Sequence, residues 1–161
     1  AYRPISGDQG FTPAAKLDTA TLEGLTPLPL FTPLEVVQAV LPEWSKHGEG
    51  TFPPAQGYSA AQPMPHLSRP GPVMSATRNY LYSPNAELAH TGTYIGAPTI
   101  TSLIARSKVS AAAQAAFEPA DGPQLPAVDP DDLAEHYWNM HTKRDHVKQF
   151  HPEPLAPQAT A

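Results

Sequence analysis

Residues 51–72 read TFPPAQGYSAAQPMPHLSRPGP, and six of them are proline. Proline has no amide hydrogen to donate and clashes with the preceding helical turn, so it disfavours helix interiors and central strands. The whole chain of 161 residues contains 21 prolines, and only residues 99–118 and 131–151 form long stretches without one. This spacing predicts a mostly irregular, extended, Pro-rich chain with two or three isolated α-helices.

The composition argues in the same direction. Leu, Ile, Val and Phe make up 30 of the 161 residues, a share just below the roughly 20% under which a chain struggles to fill a core. We therefore expect no compact independent domain, and a chain that gains order from its partners. The sequence has no cysteine, which excludes disulfides and thiolate metal sites. It also has no apolar run of the roughly 18 residues that a membrane span needs.

Three segments carry helix signals. Thr32 and Glu35 match a capping box, and Pro33 suits the first helical position. Asp129 and Pro130 mark the start of another helix in the same way. The predicted helices cover about residues 33–41, 99–117 and 130–150. The predicted units are an extended arm (1–32), a short capped helix (33–44), a Pro/Gly/Tyr-rich extended segment (45–97), an Ala-rich helix (98–118), a linker (119–129), a His-bearing helix (130–151) and a tail (152–161).

Charge is distributed unevenly along the chain, whose formal net charge is -5. Residues 50–117 carry Arg69, Arg78, Arg106 and Lys108 against a single acid, and they also hold four of the six tyrosines. A mildly basic segment with tyrosines suits an acidic protein surface. No basic cluster interleaved with aromatic residues occurs, so nucleic acid is not the expected partner.

The last predicted helix carries a series of histidines five residues apart, which raises the question of a metal site. A step of five residues turns about 140° around a helix, so successive side chains point in different directions. Metal pairs on helices favour spacings of three or four residues. A His-based metal site is therefore a weaker alternative. The series consists of His136, His141, His146 and His151.

No motif for catalysis stands out. The sequence has no Gly-x-Ser-x-Gly, no Ser-x-x-Lys and no glycine-rich phosphate loop. The carboxylates of Asp131 and Asp132 are explained by their place in the first turn of a helix. From these observations we expect no enzyme activity, no catalytic residues, no cofactor and no metal.

Two sequence pieces resemble motifs of small cilia- and flagella-associated proteins that line the inside of axonemal doublet microtubules. One is residues 98–102, Pro-Thr-Ile-Thr-Ser, and the other is an Asp-Asp-Leu helix start followed by Tyr and His. The second piece consists of Asp131, Asp132, Leu133, Tyr137, Asn139, His141 and Thr142. The resemblance implies an extended, non-catalytic microtubule inner protein that ties together tubulin and neighbouring inner proteins.

The functional hypothesis is a structural protein of a large assembly, located in the cytoplasm at the axoneme of a cilium or flagellum. The alternative is an accessory subunit of an organellar respiratory complex, located in the mitochondrion, or a subunit of a viral capsid. Aromatic and large apolar residues dominate protein interfaces because they bury much area at low entropy cost. The predicted partner-contact anchors are Phe31, Leu34, Trp44, Tyr80, Tyr82, Tyr94, Tyr137 and Trp138.

Overall fold

The computed structural model describes residues 12–63, 65, 68–117 and 126–154. Within these residues, five α-helices alternate with seven short strands. The helices are α1 (Thr19–Leu25), α2 (Thr32–His47), α3 (Pro70–Leu88), α4 (Lys108–Phe117) and α5 (Pro130–Lys143). The strands are β1 (Gly50–Phe52), β2 (Gln56–Gly57), β3 (Thr93–Ile95), β4 (Ala97–Ile100), β5 (Leu103–Ile104), β6 (Ala127–Val128) and β7 (Lys148–His151).

All of the strand pairs in the described residues are parallel. β1 pairs with β3, β4 lies between β2 and β7, and β5 pairs with β6. Gly50 faces Thr93 and Gln56 faces Thr99, the same offset of 43 residues. β1 and β2 are therefore two parts of one strand, and β3 and β4 are two parts of its neighbour. Helices connect these strands, as parallel pairing requires.

The sheet accommodates prolines where its ladder is interrupted. Pro53 and Pro54 lie between β1 and β2, opposite the segment that joins β3 to β4. The amides of Ala97 and Thr101 donate to Val147 and His151, so in this strand the odd-numbered amides face β7. An amide at position 98 would instead face β1 and β2, at the place where Pro53 and Pro54 interrupt the ladder. Proline therefore costs this sheet few hydrogen bonds, which is the physical reason that a proline-rich stretch can form strands.

Two helices that pack on one face of the sheet, α2 and α3, contain prolines in their interiors. Val37 of α2 and Leu81 of α3 pack with Ile95 and Ala97 in one apolar cluster, and all four are buried. α2 continues past Pro42 to His47, and α3 contains the buried Pro84 in its interior. An interior proline costs about 3 kcal/mol, which tertiary packing of an apolar helix face can offset.

The predicted fold class is therefore wrong. The chain is a parallel α/β structure and not a mostly irregular, extended chain without a compact domain. The helix predicted over residues 33–41 spans Thr32–His47, and residues 70–88 of the predicted extended segment form α3. The composition argument failed because buried Thr77, Thr93 and Thr99 supplement a small set of aliphatic residues in the interior.

The two other predicted helices are partly strands. Residues 99–117 contain the end of β4, then β5, and only then α4. Residues 130–150 contain α5, which ends at Lys143 before Arg144 turns with a φ of 52°, and then β7. Proline-free length did not distinguish one long helix from a helix and a strand joined by a turn. Among the described helices none alone is long and apolar enough to cross a membrane; Thr19–Leu25 and Pro27–His47, bent by 42°, reach that length only together.

Candidate functional site at the carboxyl ends of the strands

The carboxyl ends of β2, β4 and β7 lie side by side. Gly57 of β2 is the register partner of Ile100 in β4, and Ile100 is the partner of His151 in β7. The residues that follow these ends therefore form one edge, here called the carboxyl edge. It comprises Tyr58, Ser59, Thr101, Ser102 and Pro152. Four of these five residues carry a hydroxyl group.

The turn after β2 is held by the first turns of α3. The Ser75 hydroxyl donates to the carbonyl of Ala60 at 3.0 Å. A Cβ atom at Gly71 would lie 3.4 Å from the carbonyl oxygen of Ser59, so α3 approaches the turn closely. The Ser59 hydroxyl itself forms no hydrogen bond within the described residues. Ser59 is half-buried at this turn.

The segment after β4 is fixed against the end of β7. The amide of Thr101 donates to the carbonyl of His151 at 3.1 Å, and its hydroxyl donates to the carbonyl of Pro152. A hydroxyl that donates its hydrogen retains two lone pairs as acceptors. Ser102 donates to the carbonyl of Leu103. Among the described residues, the carboxyl edge thus offers two hydroxyls without hydrogen bonds, those of Tyr58 and Ser59, and two that can still accept, those of Thr101 and Ser102.

α5 covers the other face of the sheet with polar and aromatic contacts. The imidazoles of His136 and His151 stack with centroids 4.5 Å apart, and His141 Nδ1 lies 3.0 Å from the Thr51 hydroxyl. Burial and, to a lesser extent, the charge of His151 lower the pKa of His136. Stacked rings direct their nitrogen lone pairs in parallel planes, which does not suit chelation of one ion. In the described part of the chain no group of three potential metal ligands occurs.

The predicted partner-contact anchors lie in several different environments. Tyr94 is buried, and its hydroxyl donates to the carbonyl of His146 at 2.7 Å. Tyr80 and Tyr82 pack against the apolar cluster, whereas Phe31 and Trp138 are exposed by 51% and 65%. The structure does not bring the eight anchors together on one surface of this fold. The other three predicted anchors, Leu34, Trp44 and Tyr137, are half-buried. Contact of any of the eight residues with a partner stays a prediction.

Sequence reasoning missed the residues of the carboxyl edge. Ser59 belongs to no motif, and Thr101 belongs only to the Pro-Thr-Ile-Thr-Ser piece that was given a different interpretation; their shared position becomes visible only when the strands are paired. The sequence signal that could have indicated Ser59 and Thr101 is their position, because each directly follows a short run that contains a β-branched or aromatic residue, as strands do. Prolines within those runs obscured it. A strand interrupted by Pro53 or Pro98 does not match the alternating pattern of a half-buried strand.

Comparisons by sequence and by structure give different results. No protein-family model matches the sequence, and no curated protein sequence matches it. A short-chain type dehydrogenase/reductase from Mycobacterium ulcerans matches the structure with a TM-score of 0.73 and 16% identity, over 87% of this chain and 53% of that one. A gluconate 5-dehydrogenase from Burkholderia cenocepacia, in complex with NADP and tartrate, matches with a TM-score of 0.72 and 14% identity, over 87% and 58%.

A third match is a bulky-bulky ketone specific alcohol dehydrogenase from Comamonas testosteroni, with a TM-score of 0.66 and 15% identity, over 89% of this chain and 51% of that one. At these identities the likeness shows the fold alone. The chain spans 51% to 58% of the length of these three structures. Its fold is similar to that of the corresponding part of these three structures.

These matches overturn the resemblance to microtubule inner proteins. The two pieces that suggested it are ordinary parts of this fold, since residues 98–102 are β4 with its following loop and Asp131-Asp132-Leu133 is the first turn of α5. The prediction of a non-catalytic structural protein of the axoneme that binds tubulin is therefore wrong. The alternatives of a respiratory-complex subunit and a viral capsid fail for the same reason. The expectation that the chain is not an enzyme is contradicted by these matches, since the matched structures are named as dehydrogenases and reductases.

Proposed function

We propose that the chain belongs to an oxidoreductase of the short-chain dehydrogenase/reductase type, in which its carboxyl edge binds the substrate. The observation that carries the proposal is the adjacent, parallel order of β2, β4 and β7, which places the turn that contains Ser59 and the segment that begins with Thr101 at the same edge of the sheet. In open α/β sheets ligands bind in the crevice outside the carboxyl ends of the strands. The likeness to dehydrogenases of the same fold supports this reaction class.

The two hydroxyls suit the two oxidation states of an oxidoreductase substrate. A carbonyl oxygen only accepts hydrogen bonds, and Ser59 has a free hydroxyl to donate to it. The corresponding alcohol can also donate, and Thr101, whose hydrogen is engaged with Pro152, accepts. Their assigned role is to bind and orient the reacting oxygen.

The neighbourhood of Ser59 does not assign it a proton-transfer role. α3 presents Met74 beneath Gly57, with its sulfur 3.5 Å from the position of a Cβ atom there. The hydroxyl of Ser75 is engaged with Ala60, and α3 contains no lysine that would lower the pKa of a hydroxyl nearby. Ser59 and Thr101 are therefore substrate-binding groups in this proposal, and no general acid is assigned.

The residues present do not fit the diphosphate of a nicotinamide dinucleotide. Such a diphosphate is held by a Gly-x-Gly-x-x-Gly turn between a strand and a helix. The sequence contains one Gly-x-Gly, Gly48 and Gly50, and it lies between the end of α2 and the start of β1 rather than between a strand and a helix. Pro53 occupies the place of the third glycine. No step of the reaction is assigned to a cofactor on these residues.

The test uses the natural full-length protein and a panel of ketones, aldehydes and alcohols, with NADH, NADPH and their oxidised forms, followed by absorbance at 340 nm. We expect turnover of at least one substrate. Ser59→Ala and Thr101→Val should each raise KM about fivefold to tenfold, because each removes a hydrogen bond worth about 1 kcal/mol.

The matched control is Ser83→Ala, an exposed serine on α3 that lies outside the carboxyl edge. It should leave both KM and kcat unchanged. Absence of nicotinamide-dependent turnover with every substrate would overturn the reaction class. Turnover that survives Ser59→Ala and Thr101→Val with an unchanged KM would overturn the assignment of the site.

A further inference from the structure

Two positively charged side chains converge on one aromatic ring between α3 and β7. The Nζ of Lys148 lies 5.0 Å from the ring centroid of Tyr82, and the guanidinium carbon of Arg78 lies 5.8 Å from the same centroid. Arg78 also lies 5.5 Å from the ring centroid of Phe150. These four residues form what is here called the α3–β7 cluster. Both cations of the cluster therefore lie near the ring of Tyr82.

Neither cation has an acidic partner in the described ranges 12–63, 65, 68–117 and 126–154. The ion pairs found there involve other cations, such as Arg106 with Asp129 and Asp131. The one carboxylate of α3, Glu87, lies nine residues beyond Arg78. Nine residues are about two and a half helical turns, so Glu87 is on the opposite face of the helix. The cluster therefore concentrates positive charge.

Buried polar atoms at the cluster also lack partners. Within the described residues, the Nε atom of Arg78 and the hydroxyl of Tyr82 are shielded from solvent and form no hydrogen bond. Burial raises the pKa of Tyr82, and the charge of Arg78 and the loose approach of its guanidinium to the Tyr82 oxygen oppose this shift, which leaves the Tyr82 O–H hydrogen without an acceptor. A buried donor without an acceptor costs about 1–3 kcal/mol. Both groups are donors, so an acceptor-rich ligand would satisfy them.

The interior beside the cluster continues this pattern. Thr99 and Gln56 are register partners, exposed by 1% and 4%, and the hydroxyl of Thr99 and the Oε1 of Gln56 have no partner among the described groups. Phe150 is the register partner of Thr99, so their side chains leave the same face of the sheet. The unpartnered polar atoms of the two strands therefore border the region that Arg78 enters.

We propose that the α3–β7 cluster is a binding site for a phosphate group, held by Arg78, Lys148 and the hydroxyl of Tyr82. A phosphate monoester carries close to two negative charges at neutral pH, which match the two cations. Arginine presents several donors to phosphate oxygens, and lysine contributes a point charge. The proposal is independent of the oxidoreductase activity, because it concerns binding of an anion on the α3 face of the sheet.

Calorimetric titration of the natural full-length protein with inorganic phosphate tests the site. The titration is made at low ionic strength and repeated with chloride at matched ionic strength. We expect a saturable heat of binding with phosphate and none with chloride. Equal responses to the two anions would mean general charge screening and would overturn the proposal.

Substitution of the two cations tests whether phosphate binds at the α3–β7 cluster. Lys148 is exposed, so Lys148→Gln should leave the fold intact and weaken phosphate affinity about fivefold, the order expected for one exposed charge pair. Arg78→Gln should weaken it by more than about tenfold, because it removes charge-assisted hydrogen bonds. The matched control is Lys143→Gln, which removes the same charge from the end of α5.

If Lys148→Gln and Lys143→Gln bind phosphate with the same affinity, the α3–β7 cluster is not the site. That conclusion holds even if Arg78→Gln fails to fold. Titration with glycerol 3-phosphate then identifies the source of the group: tighter binding than inorganic phosphate indicates a phosphorylated small molecule, and equal binding indicates the free ion. Ser59→Ala should not change either titration, so failure here and failure of the proposed function remain distinguishable.

Discussion

The two faces of the sheet are held to their helices by different interactions. On the face covered by α2 and α3, Val37, Leu81, Ile95 and Ala97 form a dry apolar cluster. On the face covered by α5, the contacts include the hydrogen bonds of Tyr94 and His141, the stacked imidazoles of His136 and His151, and buried Met140 close to Gly96. A chain with few aliphatic residues can thus form an α/β fold when these residues are concentrated on one face of the sheet.

This difference predicts which changes destabilise the fold and which make it sensitive to pH. Substitutions in the apolar cluster should act at every pH, because burial of aliphatic groups does not involve protons. Changes on the α5 face should have smaller effects, because a typical hydrogen bond contributes only about 1 kcal/mol net. The imidazole contacts should depend on pH.

The largest effect is expected for Leu81→Ala on the α3 face. Leu81 is fully buried, and truncating such a leucine costs about 2–5 kcal/mol through lost burial and the cavity left behind. Urea unfolding of the protein measures the change. The control is Leu28→Ala, at a leucine exposed by 44%, which should cost much less. Equal costs for the two variants would mean that the apolar cluster does not form.

Gly96→Ala should have the next largest effect, on the α5 face. A Cβ atom at Gly96 would lie 2.8 Å from the Cε of Met140 and 2.9 Å from the hydroxyl oxygen of Tyr94. Because one neighbour is a flexible methionine, we expect a loss of about 1–3 kcal/mol rather than unfolding. Gly24→Ala, where nothing lies within 4 Å, is the control in the same urea titration. A neutral Gly96→Ala would show that α5 packs less closely than described.

Tyr94→Phe should cost about 1 kcal/mol, because it removes the hydrogen bond from Tyr94 to the carbonyl of His146 and little else. Burial is also the main cause that raises the pKa of Tyr94 to about 12. Tyr58→Phe is the control, since the Tyr58 hydroxyl forms no hydrogen bond with the described residues. If both variants are equally stable, the α5 face does not depend on this bond.

The smallest effect, the dependence of stability on pH, should come from His136. Its pKa lies below the ordinary 6.5 because of burial and, second, the charge of His151. The unfolded chain then binds a proton more readily than the folded one, so stability is complete above pH 6.5 and falls as the pH drops through the lower folded value. His136→Gln should flatten this fall between pH 7.5 and 5, as measured by thermal unfolding.

The control for this pH dependence is His90→Gln, at an exposed histidine, which should retain the slope of the unsubstituted protein. A slope that survives His136→Gln would place the pH sensitivity elsewhere. Loss of the slope in both variants would contradict the assignment to the stacked pair.

Local signals predicted the start of α5, but the capping box predicted at Thr32 is wrong, because Thr32 is itself helical and its hydroxyl donates to the carbonyl of Pro27, and no local signal predicted the sheet. α5 begins at Pro130, and the side chain of Asp129 accepts from the amide of Asp131 at 2.9 Å, as the capping pattern predicts. The strands are two to four residues long, and their parallel partners lie 24 to 51 residues apart. Nothing local encodes such pairing. The carboxyl edge depends on that pairing, so Ser59 and Thr101 could not be grouped from the sequence.

The most direct test of the fold is amide hydrogen exchange of the central strand, residues 93–100, followed by mass spectrometry of peptides. The strand has neighbours on both sides along β4 and contacts helices on both faces. We predict that its amides are among the slowest to exchange, and much slower than those of residues 14–16 in their short exposed turn. Exchange of residues 93–100 as fast as in an unfolded peptide would contradict the parallel α/β fold, and with it the carboxyl edge.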